Sequence, residues 1–217
     1  MTETPHLHAT RASYDTVAVD YARLLGAELA EGPLDRAMLA AFAELVQADG
    51  AGAVADLGCG PGRITAHLAS LGVDAFGVDL SPGMVEVARR TYPGLRFDEG
   101  SMTALNLKDD SLGGIVAWYS TVHTPPEELP AVFAEFHRVL APGGHLLLAF
   151  KVGDECVHLE RAYGHAVSLD VYRFPPDRVA ALLSRHGLRE VARLVREASD
   201  WEKTPQAFLL ARKSPES

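Results

Sequence analysis

Cysteine pairs, long apolar runs and excess positive charge are all scarce in this chain, and each scarcity closes off a class of protein. Only two of 217 residues are cysteine, Cys59 and Cys156, so no disulfide framework is expected. The longest apolar stretch, residues 145–150, falls far short of the roughly 20 residues that span a bilayer and suits a buried strand instead. Residues 1–10 are polar and lack the apolar segment of a secretory leader, so a cytoplasmic location with no membrane partner is expected. Lys and Arg number 20 against 29 Asp and Glu, a net charge of −9. That balance disfavours recognition of nucleic-acid phosphates. There is no HExxH, no CxxC and no tight histidine pair. His158 and His165 stand seven apart with no carboxylate pattern to complete a metal site, so no metal is expected.

What is present is an ordinary folded composition, 47% hydrophobic and 23% charged, long enough for one domain with a sizeable core. Residues 1–12 read as a flexible tail and 13–213 as a single domain. Tyr14, Val17, Tyr21, Leu24 and Leu25 share one face of a first helix. Gly32-Pro33 breaks it, and a second helix from Asp35 to about Ala48 turns Met38, Leu39, Phe42, Leu45 and Val46 inward. Short apolar strands then alternate with helices: strands at 53–57, 74–79, 95–97, 113–119 and 145–151, with helices between them. Ser81-Pro82 reads as an N-cap followed by proline in the first turn. Leu129, Val132, Phe133, Phe136 and Val139 form the clearest helical stripe. Residues 152–173 are less regular and read as a substrate cap. A helix at 177–186 and two close strands, 188–195 and 206–211, complete the chain. Alternation of this kind builds right-handed βαβ units and a doubly wound α/β fold with a mostly parallel sheet. The close final pair predicts one antiparallel strand near the C-terminus. Ligands of such sheets bind at the carboxyl ends of the strands, where the strand order reverses.

The glycine loop Asp56-Leu57-Gly58-Cys59-Gly60-Pro61-Gly62-Arg63 lies at such an end. It is not a phosphate-binding GxxxxGK[ST] loop. It also fails the dinucleotide spacing GxGxxG, because the third glycine would fall on Arg63 from Gly58 and on Thr65 from Gly60. Asp56 just before the loop would repel a pyrophosphate and tolerate a cationic ligand. Asp79 closes the next strand, where a carboxylate can accept both hydroxyls of a ribose.

These strings resemble the class I S-adenosylmethionine-dependent methyltransferases. The D-L-G-C-G-P-G-R loop, the Val78-Asp79-Leu80-Ser81 string and Leu140-Ala141-Pro142-Gly143-Gly144 before a strand carry the resemblance, closely over residues 14–151 and loosely beyond. It implies a Rossmann-like, seven-stranded methyltransferase fold with residues 13–50 as an N-terminal helical lid, and S-adenosylmethionine as cofactor. The loop residues Asp56, Gly58, Cys59, Gly60 and Gly62 would hold the methionine part, helped by Arg63. Asp79 would hold the ribose, and Leu80 and Met84 would pack on adenine. Where many members carry an aspartate after the third strand, this chain has Ser101, whose hydroxyl, with the Met102 amide, would meet the adenine edge. Trp118, Tyr119 and Ser120 would face the methionine end. Tyr14 and Tyr21 would close the lid through a Y-D-x-x-A-x-x-Y opening.

The implied reaction is in-line methyl transfer to a small-molecule acceptor, by a monomer or homodimer. His123 is the candidate base, since its ordinary pKa lies near neutrality. Lys151, His158, Tyr163 and His165 are substrate-side candidates. His137 and His186 are read as structural, and Trp201 as covering an edge. Three other readings stand beside this one: a nicotinamide-dependent oxidoreductase, a non-catalytic cofactor-binding module, and a nucleic-acid methyltransferase. The glycine spacing opposes the first and the charge of −9 opposes the last.

Overall fold

The computed structural model describes residues 4–25, 32–50 and 52–214. Two helices come first, α1 (Pro5–Leu25) and α2 (Pro33–Ala48). Next come β1 (Val54–Leu57), α3 (Arg63–Ser70), β2 (Ala75–Asp79), α4 (Pro82–Thr91), β3 (Phe97–Glu99) and β4 (Leu112–Trp118). A 3-10 turn at Thr121–His123 leads into α5 (Leu129–Val139) and β5 (Leu140–Lys151). The chain finishes with β6 (Cys156–Ala162), β7 (His165–Tyr172), α6 (Pro176–Arg185), β8 (Leu188–Arg196) and β9 (Gln206–Lys213).

Seven strands form one sheet in the order β3-β2-β1-β4-β5-β9-β8. β1 pairs in parallel with both β2 and β4, so the direction of strand addition reverses there. β9 runs antiparallel to both neighbours, β5 and β8, as the close final pair predicts. Period-two alternation divides the core between the two faces of the sheet. Along β5, Leu146, Leu148 and Phe150 meet α5 and α6, while Leu147 and Ala149 meet α2 and α3. Both faces are therefore covered by helices, as a parallel sheet requires.

Three expectations are corrected. The supposed tail is helical from Pro5 onward, because α1 starts well before Tyr14; residues 1–3 lie outside the described residues. The supposed irregular cap is a β-hairpin, β6 with β7, and it forms a separate two-stranded sheet. On α1, Leu24 is exposed rather than on the core face.

Helix α1 lies across the carboxyl end of the sheet and is tied to two other elements. Ser13 Oγ accepts from Ser168 N at 3.1 Å and lies 3.2 Å from Ser168 O on β7, and His165 Nε2 meets Asp20 Oδ2 at 2.8 Å. On its other side Asp15 Oδ1 accepts from Ser81 Oγ at 2.6 Å and from Gly83 N at 2.9 Å, at the start of α4. The helix thus bridges the hairpin and the second βα turn.

Candidate functional site

The glycine loop turns tightly because its backbone is stitched to the neighbouring strand. Gly58 N and Cys59 N both donate to Val78 O, at 2.7 and 3.1 Å. Gly58 has φ +73°, and a Cβ there would stand 2.3 Å from the Ser120 Cβ. Only glycine lets the loop pass this close to the end of β4. Gly62 serves a different purpose: a Cβ there would meet the Phe97 ring at 2.7 Å, so its bareness lets α3 seat on the sheet.

Asp79 organises the floor. Its Oδ2 accepts from Gly60 N at 2.7 Å and its Oδ1 from Ser81 N at 2.8 Å. Burial pushes its pKa up to about 6, against the pull of those two amides. Asp56 lies beneath the loop, fully buried, with Oδ2 accepting from Thr65 Oγ1 at 2.7 Å. Burial pushes it up to about 7. Asp56 Oδ1 and Ser120 Oγ have no hydrogen-bond partner among the described residues.

These residues surround a cleft of about 900 Å³, counting its open mouth. Of the residues singled out from sequence, Tyr14, Tyr21, Gly58, Gly60, Asp79, Leu80, Met84, Ser101, Met102, Trp118, Tyr119, Ser120 and His123 line it. Four do not. Asp56 sits under the loop, and Gly62 faces Phe97. Cys59 packs among Val85, Ala88 and Phe97, where burial pushes its thiol far up. Arg63 lines a second cavity instead. The cleft has a wall the sequence reading missed: His6, Leu7, Thr10 and Arg11 on the first turns of α1. Leu7, Arg11 and Tyr14 are spaced three and four apart, a helical signal present in the sequence but assigned to a tail.

Tyr119 follows β4 with φ +55°, a left-handed conformation rare for a non-glycine residue, at the point where strand order reverses. The rings of Tyr14, Tyr21 and Tyr163 meet edge to face, with centroids 6.0 Å apart for the first two and 4.9 Å for the last two. Tyr14 also bonds His123, with its hydroxyl 2.7 Å from Nε2. His123 Nδ1 lies 2.8 Å from the Asp170 carbonyl, and burial lowers the ring's pKa.

The histidines on the hairpin have single carboxylate partners rather than a metal set: His158 with Asp170 at 2.7 Å, and His165 with Asp20. Among the described residues no group of three or more His, Cys, Asp or Glu could hold a metal ion. No helix of the described residues is long and apolar enough to cross a membrane. Trp201, expected to cover an edge, is 64% exposed at the rim of the second cavity.

The donor set suits a nucleoside carrying no phosphate. The Gly60 amide that a pyrophosphate would need already serves the Asp79 carboxylate, and a second anion beside it would be repelled. The unpartnered Ser120 Oγ and the Asp79 carboxylate stand ready for hydroxyl and amino groups.

Comparison with known proteins agrees. A family model described as a methyltransferase domain matches residues 54–144. The demethylmenaquinone methyltransferase of Chlorobaculum parvum is 36% identical over 92 residues, which is 42% of this chain and 37% of that protein. An uncharacterized methyltransferase of Mycobacterium tuberculosis is 32% identical over 120 residues, 54% of this chain and 47% of that one. The matched stretch thus spans less than half the length of these relatives. Among solved structures, the Burkholderia thailandensis 1,6-didemethyltoxoflavin-N1-methyltransferase superposes with a TM-score of 0.70 at 21% identity, over 99% of this chain and 92% of that one. That likeness speaks for the fold. Residues 54–144 thus match a methyltransferase domain, and the glycine loop and the switch point between β1 and β4 fall within that stretch.

Proposed function

We propose that this protein transfers a methyl group from S-adenosylmethionine to a small-molecule acceptor. One observation carries the reading: a partly buried carboxylate, Asp79, holds the glycine-loop amide at 2.7 Å on the floor of a phosphate-excluding cleft. Each of its oxygens keeps a lone pair for a ribose hydroxyl. Leu80 and Met84 pack against adenine, and the Ser101 hydroxyl with the Met102 amide meets the adenine edge. Trp118, Tyr119 and Ser120 flank the methionine end, with the backbone of Gly58 and Gly60 beneath it. Arg11 is the guanidinium of this cleft, and it takes the carboxylate role first given to Arg63. When bound, the sulfonium supplies the methyl group, which leaves by in-line displacement.

The chain's residues do the rest by positioning and by excluding water. The Tyr14 and Tyr21 rings close over the cleft, and their π faces favour a neighbouring cation. Tyr14 and His123 both line the junction with the second cavity, and the Tyr14 hydroxyl is hydrogen-bonded to the His123 ring. A proton leaving the acceptor passes to the Tyr14 oxygen as the Tyr14 proton moves to His123 Nε2, so His123 acts through Tyr14. The names of similar proteins, a demethylmenaquinone and a didemethyltoxoflavin methyltransferase, support a small organic acceptor.

Calorimetry with S-adenosylhomocysteine and with NADH tests the reading. Expected is saturable heat with the first and none with the second, and loss of at least tenfold in affinity on Asp79→Ala. Uptake of NADH alone would overturn it.

A further inference from the structure

On the far side of the Tyr14–His123 pair lies a second cavity, and its charge is opposite to that of the whole chain. Tyr14, Tyr21, Tyr119 and His123 line both spaces, so an occupant of the second sits directly against an occupant of the first. Among the described residues lining it, Arg63, Lys151, Arg173 and Lys203 are cationic, Arg173 in an ion pair with Glu155, and Glu202 is the single carboxylate. Glu202 is bound to Arg196, with Oε1 at 2.8 Å from Nη2, and this pairing helps hold its carboxyl at about 2. In a chain of net charge −9 this clustering of cations is a matter of placement, not of composition.

Lys151 has the central position. It ends β5, its Nζ lies 5.9 Å from the Tyr119 ring, and its charge helps depress the pKa of His123. It therefore stands near the junction of the two spaces. The walls are apolar: Val157 and Leu159 from β6, and Leu169 and Val171 from β7. At the rim, the Trp201 ring is left in water by the fold, a costly place for a large apolar surface unless something covers it.

We propose that this cavity receives an aromatic acid, ionised at neutral pH, whose ring hydroxyl is the methyl acceptor: that hydroxyl faces Tyr14 and gives up its proton there as its oxygen bonds the methyl carbon and the carbon–sulfur bond of the sulfonium breaks. The acid's ring packs between the hairpin side chains and Trp201, and its anionic group faces Lys151. A cationic acceptor would meet like charge, and a neutral one would gain nothing from it. The proposal rests on the reading of the neighbouring cleft as the S-adenosylmethionine site.

The test is calorimetry on the full chain, first with S-adenosylhomocysteine and then, at saturation, with 2-naphthoate, 2-naphthamide and 2-naphthylmethylamine, three probes of similar shape and different charge. Expected is naphthoate at least tenfold tighter than the amide, no heat from the amine, and weakening of naphthoate by salt. Lys151→Met brings naphthoate to the level of the amide while adenosylhomocysteine affinity stays within twofold. Trp201→Ala weakens naphthoate and naphthamide alike. Equal affinities for naphthoate and naphthamide, preference for the amine, or no heat from any probe overturns the proposal alone. No heat from adenosylhomocysteine overturns the cofactor reading and the proposal with it.

Discussion

Tyr14 and His123, 109 positions apart, share a hydrogen bond of 2.7 Å that fixes the state of the imidazole. The Asp170 carbonyl, 2.8 Å from Nδ1, can only accept, so Nδ1 carries the ring proton and Nε2 accepts from the Tyr14 hydroxyl. Burial, with Lys151 adding to it, keeps the ring neutral below the pH at which a free histidine titrates. Nitrogen-15 NMR should show the Nδ1–H tautomer at pH 7, and an imidazolium or the opposite tautomer would refute this account. The unfolded chain takes up its proton near pH 6.5, the folded one lower, so folding stability falls as pH drops through that window. His123→Gln, which keeps an acceptor for Tyr14, should flatten that part of the stability profile.

Cofactor binding should weaken in acid for a separate reason. On the proposed reading Asp79 must be ionised to accept two ribose hydroxyls beside its two backbone amides, and burial has moved it up to about 6. Affinity for S-adenosylhomocysteine is expected to fall about tenfold for each pH unit below 6. Asp79→Asn should bind weakly at every pH and remove that slope. A wild-type affinity constant from pH 5 to pH 8 would contradict it.

Most of this site was legible because its chemistry sits in consecutive residues. The loop Gly58–Gly62, the strand-ending Asp79 and the Ser81-Pro82 helix start are local signals, and each is found in its expected place. The core stripe of α5 was equally plain. The hairpin was not, although Val167, Leu169 and Val171 alternate as a strand should. Its turn is built on Tyr163 and Gly164, with φ +52° and +88°, and tyrosine is a poor advertisement for a left-handed turn. The second cavity was illegible for a different reason: Arg63, Lys151 and Lys203 come from three separate elements, and only the folded sheet brings them together.

Gly58 and Gly164 together separate backbone strain from contact. Both have positive φ, but a Cβ at Gly164 meets nothing within 4 Å, whereas one at Gly58 meets Ser120 at 2.3 Å. Gly164→Ala should cost only the conformational term, about 1–2 kcal/mol. Gly58→Ala should cost that plus about 1–3 kcal/mol for the forced contact, and should abolish adenosylhomocysteine binding. Thermal or denaturant unfolding would measure both. Equal losses in the two variants would show that Ser120 yields and that the close approach is not what requires glycine.

Asp15 ties the first helix to the fold through a shared cap. In the first turn of α4, Ser81 Oγ accepts from Met84 N at 3.1 Å and donates to Asp15 Oδ1, which also accepts from Gly83 N. One helix thus supplies part of another's N-terminal cap, and its negative charge complements the positive end of α4. Asp15 is exposed, which limits its worth to about 1 kcal/mol of stability. Its larger effect should be local. Asp15→Ala should speed amide hydrogen exchange along α1 and in the first turn of α4 while leaving β1, β4 and β5 protected. Asp15→Asn, which keeps an acceptor oxygen and loses only the charge, should restore most of the protection. If exchange in α1 does not respond to Asp15→Ala, the helix is held by Ser13, Tyr14 and the hairpin alone, and the Asp15 cap plays no part in closing the cleft.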